Sequence, residues 1–432
     1  MPVETAAHKP VIAIAGGGFA GTAVAARLER RLRPDEAEIV LLDRENFTLF
    51  TPMLPEVTSG ELEVRHVVTP IRAQLRRTAF LLAEVCEIDA AARTLRYRHV
   101  LTGIEKTLTY DHLVLALGSS TSTFGLPGVA ENAWALKTLD DADALRNHLI
   151  WLLELADAIG DEARRRELLT LVVVGGGFTG VETAGEIFEL FHSVIRFYRR
   201  LRLDEIRMVL VEGGTSLLAG LPPKMGEYSQ RILQRRGIEI SLGDVVTGAD
   251  ERGLTLQSGR RIDTATVIWS AGVKPSPSIA ATDLPKTKRG AVIVGEDLRV
   301  AERPAVWALG DCASIPDGEG GTYPMTAQHA IREGPHLADN LVRALRGRPT
   351  LPFRYRSLGM MAALGGRKAV AQLPGDRVLT GFAAWFLWRT YYLLRLPGAD
   401  RRLRVAFDWT LELLFPRDIA ELRVDTEHVQ RA

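Results

Sequence analysis

Residues 171–187, "LVVVGGGFTGVETAGEI", decide the fold. "LVVV" has the length and β-branched content of a buried strand, the three glycines form a turn, and "FTGVETAGEI" opens a helix. The chain has already written this pattern once, as "VIAIAGGGFAGTAVAARL" at 11–28. The spacing GxGxxG falls on Gly16, Gly18 and Gly21 in the first copy and on Gly175, Gly177 and Gly180 in the second. The first glycine permits the tight turn, the second lets the backbone approach a pyrophosphate, and the third allows close helix–strand packing. The helix N-terminus then aims N–H groups and the positive end of its dipole at the phosphates. Phe19 and Ala20, and Phe178 and Thr179, are candidate binding positions of the same turns. The strands that follow, "EIVLLD" and "IRMVLVE", end in Asp43 and Glu212, placed to accept hydrogen bonds from a ribose. A lone GxGxxG is a weak signal. Two copies, each with strand, helix and terminal acid, predict two dinucleotide sites.

Outward from these turns, strand-like runs alternate with helical patterns: "HLVLALG", "LTLVVVG" and "ATVIWSAG" are further examples. The pattern predicts α/β architecture with two Rossmann-like domains. A long helical pattern over 139–168 leads into the second unit, and "RGRPTLPFRYRS" (346–357) reads as a linker. The chain has 432 residues with a net charge of +1, so no global field favours nucleic acid as a partner. Its two cysteines, Cys86 and Cys312, form no CxxC pair, so neither a zinc site nor a dithiol relay is expected and no metal is assigned. The N-terminus lacks the pattern of a signal or transit peptide, and no apolar run is long enough to span a bilayer.

"AVWALGDCASI" (305–315), with Gly310-Asp311, resembles the second flavin motif of the two-dinucleotide-binding-domain flavoproteins, where the aspartate holds the ribityl chain of FAD. "YDHLVLALGSS", with Gly118, and "ATVIWSAGVKP", with Ala271 and Gly272, resemble the strands that return from the nucleotide domains there. The resemblance implies non-covalent FAD on the first turn and NADH on the second. Expected domains are 9–130 and 289–346 for FAD, 131–288 for NADH, and 347–432 for a C-terminal quinone-site and membrane-association region. Glu212 repels a 2′-phosphate and no Arg or Lys follows in "EGGTSLLAG", which favours NADH over NADPH.

Where flavin disulfide reductases carry a CxxxxC pair, this chain reads "RENFTLFTPMLPEVTSG", so electrons leave the flavin directly. This stretch, "GGGFTGVETAGEI", "MTAQHAIREG" and the tail "GFAAWFLWRTYYLLRL" together resemble the type II NADH:quinone oxidoreductases, also called alternative NADH dehydrogenases. The resemblance runs from about residue 10 to the end. It implies a catalytic role for Glu182, near the meeting point of nicotinamide, flavin and quinone. The plainer alternative is a first-turn carboxylate stabilised by the helix dipole. It also implies that Ala327 and Gln328, of an AQxAxQ motif, line the quinone headgroup. The chain departs from that motif at Arg332, a donor only, and carries Leu358 where relatives often place a lysine.

The tail holds Trp, Tyr and Arg, and Leu403, Ala406, Phe407, Leu411 and Leu414 share one helical face. Such helices suit the headgroup layer, giving peripheral association with the cytoplasmic face of the cell inner membrane. A homodimer interface is the competing use of the same face. Rival activities are a sulfide:quinone or ferredoxin reductase, and an FAD/NAD-binding, redox-regulated interaction protein.

Overall fold

A computed structural model describes residues 9–422. Positions 1–8, read above for a leader, lie outside the described residues. The helices that position the candidate sites are α1 (Phe19–Arg31), α2 (Leu54–Thr58), α3 (Leu139–Ala158), α4 (Phe178–Val194), α5 (Ala327–Leu345), α6 (Gly381–Arg395) and α7 (Ala399–Glu412).

The chain forms two compact units. The first gathers the described residues of Met1–Leu49, Val68–Ser120 and Val273–Arg356. Its seven-stranded sheet runs in the order Val306–Ala308, His112–Leu115, Val11–Ala15, Glu38–Asp43, Ala79–Asp89, Thr94–His99, Glu105–Thr109. The first five strands are parallel and the last two turn back antiparallel. Ile12, Ile14, Leu41, Leu42, Leu113 and Val114 are fully buried, as expected of parallel strands covered on both faces. Helix α1 lies close against α5: a Cβ on Gly334 would fall 2.9 Å from the Ala20 carbonyl oxygen. Arg27 forks onto Asp339 across the same helix pair.

The second unit gathers Phe50–Val67, Thr121–Gly272 and the described residues of Ser357–Ala432. Its parallel sheet runs Ala133–Ala135, Thr266–Trp269, Thr170–Val174, Arg207–Glu212, Glu239–Leu242. The C-terminal part adds an antiparallel sheet of Met361–Ala363, Ala369–Leu373 and Arg377–Thr380, followed by α6 and α7.

Two expectations change. The 139–168 pattern breaks into α3 and a short helix over Glu162–Leu168, because Ile159 is extended and Asp161 caps a new start. The stretch 346–357 is no free linker: Phe353 is buried in the first unit's core, and Asn340 binds both the amide and the carbonyl of Leu351. The compact units divide near 49/50, 67/68, 120/121, 272/273 and 356/357. Segment Phe50–Val67 belongs with the second unit, because α2 packs on α3 and α4.

Candidate functional site

In the first unit the Val11–Ala15 strand ends at Gly16, whose φ of 108° only glycine adopts without strain. A Cβ on Gly21 would stand 1.8 Å from the Gly16 carbonyl oxygen, so α1 can start this close only with glycine there. Around Gly18 and Gly118, by contrast, a Cβ would meet nothing within 4 Å. The α1 N-terminus has no side-chain cap, and Gly18 is exposed. An uncapped helix start beside open backbone fits a pyrophosphate. Asp43 accepts from the Gly17 amide at 2.5 Å and the Glu45 amide at 2.8 Å, each on a different oxygen. That fixes its carboxylate and leaves a lone pair on each oxygen for a ribose. Burial raises its pKa above the ordinary carboxyl value, against the pull of these amides.

The Gly310-Asp311 turn lies in the same unit. Gly310 takes φ 68°, and Asp311 accepts a 2.6 Å hydrogen bond from the Ser119 hydroxyl, next to Gly118. Glu333 on α5, which sequence reasoning missed, accepts from the Gly310 amide at 2.7 Å, and burial pushes its pKa up to about 7. Ala327 and Gln328 open α5, half-buried. Arg332, the departure from the motif, donates to the Gln328 carbonyl at 2.7 Å and stacks over Tyr355, which ties down the backbone of Gln328. His329 is buried beside Thr326 and between Tyr323 and Tyr355. Leu358, in the second unit, is exposed. Cys312 is buried against the Leu309 and Leu115 carbonyls, and burial lifts its thiol to about 12. Both cysteines are free.

The second cradle repeats the first. Gly175 has φ 111°, a Cβ on Gly180 would lie 1.8 Å from the Gly175 oxygen, and Gly177 is open. Phe178 and Thr179 form the first helical residues of α4. Glu212 accepts from the Gly176 and Gly214 amides, both at 2.6 Å. Ala271 and Gly272 follow the Thr266–Trp269 strand, and Gly272, at φ 84°, leaves room for the Phe124 ring.

Glu182 corrects the first-turn reading. Helix α4 starts at Phe178, so Glu182 lies in its second turn, beyond the strongest dipole field, and it points inward. Its Oε1 accepts from the Ala363 amide at 3.0 Å and from the Trp388 indole at 3.2 Å. Burial dominates these two donors and raises its pKa to about 8, with Glu186 adding to the rise. A carboxyl there holds its proton at neutral pH and can release it.

Around Glu182 the second unit builds a buried cluster of charged side chains that sequence reasoning did not find. Trp409 donates to Glu56 at 3.2 Å. Arg389 pairs with Glu61 and lies between the Trp385 and Trp409 rings. Arg417 bridges Glu61 at 3.1 Å and Glu186 at 2.9 Å, and Ser59 donates to Glu186. Arg389, expected at a headgroup layer, is therefore an internal cation. Trp388, read as part of the outer aromatic surface, is 2% exposed. The available signal was a pair of arginines inside apolar tail sequence, each needing an acid, but nothing in the sequence named the acids.

Fold and cradles together define a pyridine-nucleotide-dependent flavoprotein oxidoreductase. A family model described as pyridine nucleotide-disulphide oxidoreductase matches residues 10–334, and one described as the NDH2 C-terminal domain matches 358–418. The type II NADH:quinone oxidoreductase Ndh of Mycobacterium tuberculosis is 34% identical over 94% of this chain and 88% of its own length. An internal alternative NAD(P)H-ubiquinone oxidoreductase A1 of Arabidopsis thaliana is 32% identical over 96% of this chain and 86% of its own. The chain belongs to the type II NADH:quinone oxidoreductase family. In fold it matches NDH2 from Plasmodium falciparum in complex with NADH, with a TM-score of 0.88 and 21% identity over 96% of this chain and all of that one.

Proposed function

We infer that the chain oxidises NADH through FAD and passes two electrons to a quinone, without pumping protons. The observation that carries this is two matched nucleotide cradles in one chain, the second of which leads into a helix bearing a buried, proton-holding carboxyl. The bound flavin supplies a two-electron acceptor that a quinone can discharge. The protein supplies position and electrostatics. In this reading Gly16, Gly18, Gly21 and Asp43 hold the adenosine diphosphate part of FAD, and Gly118, Gly310 and Asp311 hold its ribityl side. Gly175, Gly177, Gly180 and Glu212 hold NADH, with Ala271 and Gly272 beside it. Ala327 and Gln328 are assigned to the quinone headgroup, and Glu182 is assigned a proton-donating role in the quinone half-reaction. Two free cysteines, one deeply buried, offer no support for sulfide chemistry. Steady-state NADH oxidation with a soluble quinone tests the reading. Rapid turnover is expected, and a persistent reduced-flavin–NAD complex would instead favour a redox-regulated binding protein.

The quinone of this reading is a membrane quinone, reached by peripheral attachment at the cytoplasmic face of the cell inner membrane. Among the described residues no helix is long and apolar enough to cross a membrane. Phe382 and Phe386 on α6, Leu403 and Phe407 on α7, and Leu414 and Phe415 beyond it are exposed, with Arg402 and Arg404 exposed nearby. Burying such side chains in a headgroup layer yields about 1.5–3 kcal/mol each at most. Leu403→Ser with Phe407→Ser spares the buried Trp388 and Arg389 and should release the protein from anionic vesicles with its FAD retained. Unchanged co-sedimentation would favour the same face as a homodimer interface.

A further inference from the structure

The cluster around Glu182 holds more acid than its cations balance. Glu56, Glu61, Glu182 and Glu186 are buried, and the guanidinium groups that bond members of this set are those of Arg389 and Arg417; Arg236, close to Glu186, is paired with Glu189, and Glu412 adds a further acid beside Arg417. The ion pairs assign the cations. Arg389 bonds Glu61, and Arg417 bonds Glu61 and Glu186 and pairs with Glu412 at 3.7 Å; Arg389 feels the charge of Glu56, but the ion pairs of these two guanidinium groups do not include Glu56 or Glu182. Each of the two remaining carboxyls receives instead a neutral indole N–H, from Trp409 at 3.2 Å and Trp388 at 3.2 Å. Ionising both would leave two uncompensated charges out of water, which the interior disfavours strongly. Keeping Glu56 and Glu182 protonated avoids that cost.

Glu56 also carries an unmet need. It is 4% exposed, and its Oε2 is buried without a hydrogen-bond partner. A polar atom left unpaired in a packed interior calls for a reason beyond stability. The two carboxyls belong to one electrostatic group: α2 packs on α4, and the half-buried Tyr392 feels the charge of each. One helix links them, since Trp388 holds Glu182 while its neighbour Arg389 lies on the Trp409 ring that holds Glu56.

We propose that Glu56 is a proton-holding residue of the quinone half-reaction, which refills Glu182 after each turnover. It touches no substrate and acts as a positioning residue through Glu182, so the proposal rests on the assignment of Glu182 to the quinone side. The balance is closed. Oxidation of NADH by a quinone takes up one proton from the medium beyond the hydride. Glu182 gives its O–H proton to a quinone oxygen and becomes a carboxylate. The Glu56 proton moves to that carboxylate, and Glu56 recovers one from water. Burial pushes the Glu56 carboxyl up to about 8, Arg389 opposes, Glu186 and Glu182 add, and the Trp409 hydrogen bond opposes. As pH climbs past about 8, both carboxyls lose their protons and the quinone step should fall.

The test is anaerobic stopped-flow on the FAD-loaded full chain with a short-chain soluble benzoquinone. It compares E56Q, E182Q, their double variant and W409F, with flavin content and melting recorded for each. In E56Q, flavin reduction by NADH should be unchanged, while reoxidation slows by about tenfold, a modest share of what general acid catalysis supplies. The double variant should be no slower than E182Q, because the two act in series. W409F keeps Glu56 but removes a donor that favours its ionised form, so the part of the alkaline fall that Glu56 sets should move to higher pH while the part that Glu182 sets stays, which a packing role would not produce. If E182Q slows reoxidation while E56Q and W409F leave its rate and pH profile as in the unmodified protein, Glu56 holds no working proton. The assignment of Glu182 would then survive alone. If E182Q itself is unimpaired, both fall. Should E56Q fail to bind FAD, the W409F profile alone decides.

Discussion

The two glycine turns are the same device on different helices. Gly16 and Gly175 share φ near 110°, and Gly21 and Gly180 share a 1.8 Å approach to the first glycine's oxygen. Asp43 and Glu212 accept from the Gly17 and Gly176 amides, each just after the first glycine. Beyond the turn the copies part. Counted from the first glycine, Ala23 stands in α1 where Glu182 stands in α4, and Arg27 where Glu186 stands. Arg27 meets Asp339 at a third exposed, a pair worth little. Glu186 meets Arg417 with both side chains under a tenth exposed. Gly185, where α1 has Ala26, lets the backbone of Leu364 come within 2.6 Å of a hypothetical Cβ. The lesson is that the cradle is generic and the helix leaving it is specialised. The first packs against α5, the second carries buried acids paired with an arginine and an indole.

The comparison breaks most sharply at the third glycines. Gly21→Ala and Gly180→Ala force a methyl onto a carbonyl oxygen, costing about 1–3 kcal/mol or more. That corresponds to roughly ten- to hundredfold in nucleotide affinity. Gly21→Ala should purify with its flavin depleted. Gly180→Ala should stay yellow yet respond to NADH only at raised concentration, as a titration of flavin bleaching would read. Identical phenotypes for the pair would remove the division of labour between the turns.

A smaller effect is expected at the acids. Glu212→Gln removes a negative charge facing the ribose, so the preference for NADH over NADPH should shrink by about tenfold, the scale of a charged hydrogen bond. Rates of flavin bleaching with the two nucleotides measure it. Equal rates in the unmodified protein would mean that Glu212 does not select.

Smallest is a slope in stability. Glu182 and Glu56 bind protons more tightly folded than unfolded, since burial raises both from 4.5 to about 8. Their contribution is full below the unfolded value and is lost as pH rises through the folded one. Melting temperature should therefore decline between about 4.5 and 8 on their account. The E56Q/E182Q double variant should show a flatter profile over that window.

The turns were legible because their constraints are local: a positive φ and a close carbonyl demand glycine at fixed spacing, and a strand end fixes where the acid falls. Glu182 was legible as a residue but not as a buried one, because the sequence does not reveal which helical face is covered. Arg417 and Glu61 lie 356 residues apart, and no spacing rule joins them. The tail was read as one surface because aromatic residues and arginines look alike on either face of an amphipathic helix. Packing divides it, with Trp388, Trp409 and Arg389 inward and Phe386, Leu403 and Phe407 outward. Glu333 was missed because its partner is a backbone amide, which leaves no trace in sequence.

The central claim is that electrons enter from NADH and leave to a quinone through one flavin. Double-mixing stopped-flow at the flavin absorbance tests it without any substitution. NADH added anaerobically should bleach the protein, and a soluble quinone added next should restore the colour at a rate able to sustain steady-state turnover. Colour that returns far more slowly than turnover, or only when oxygen is admitted, would contradict the account.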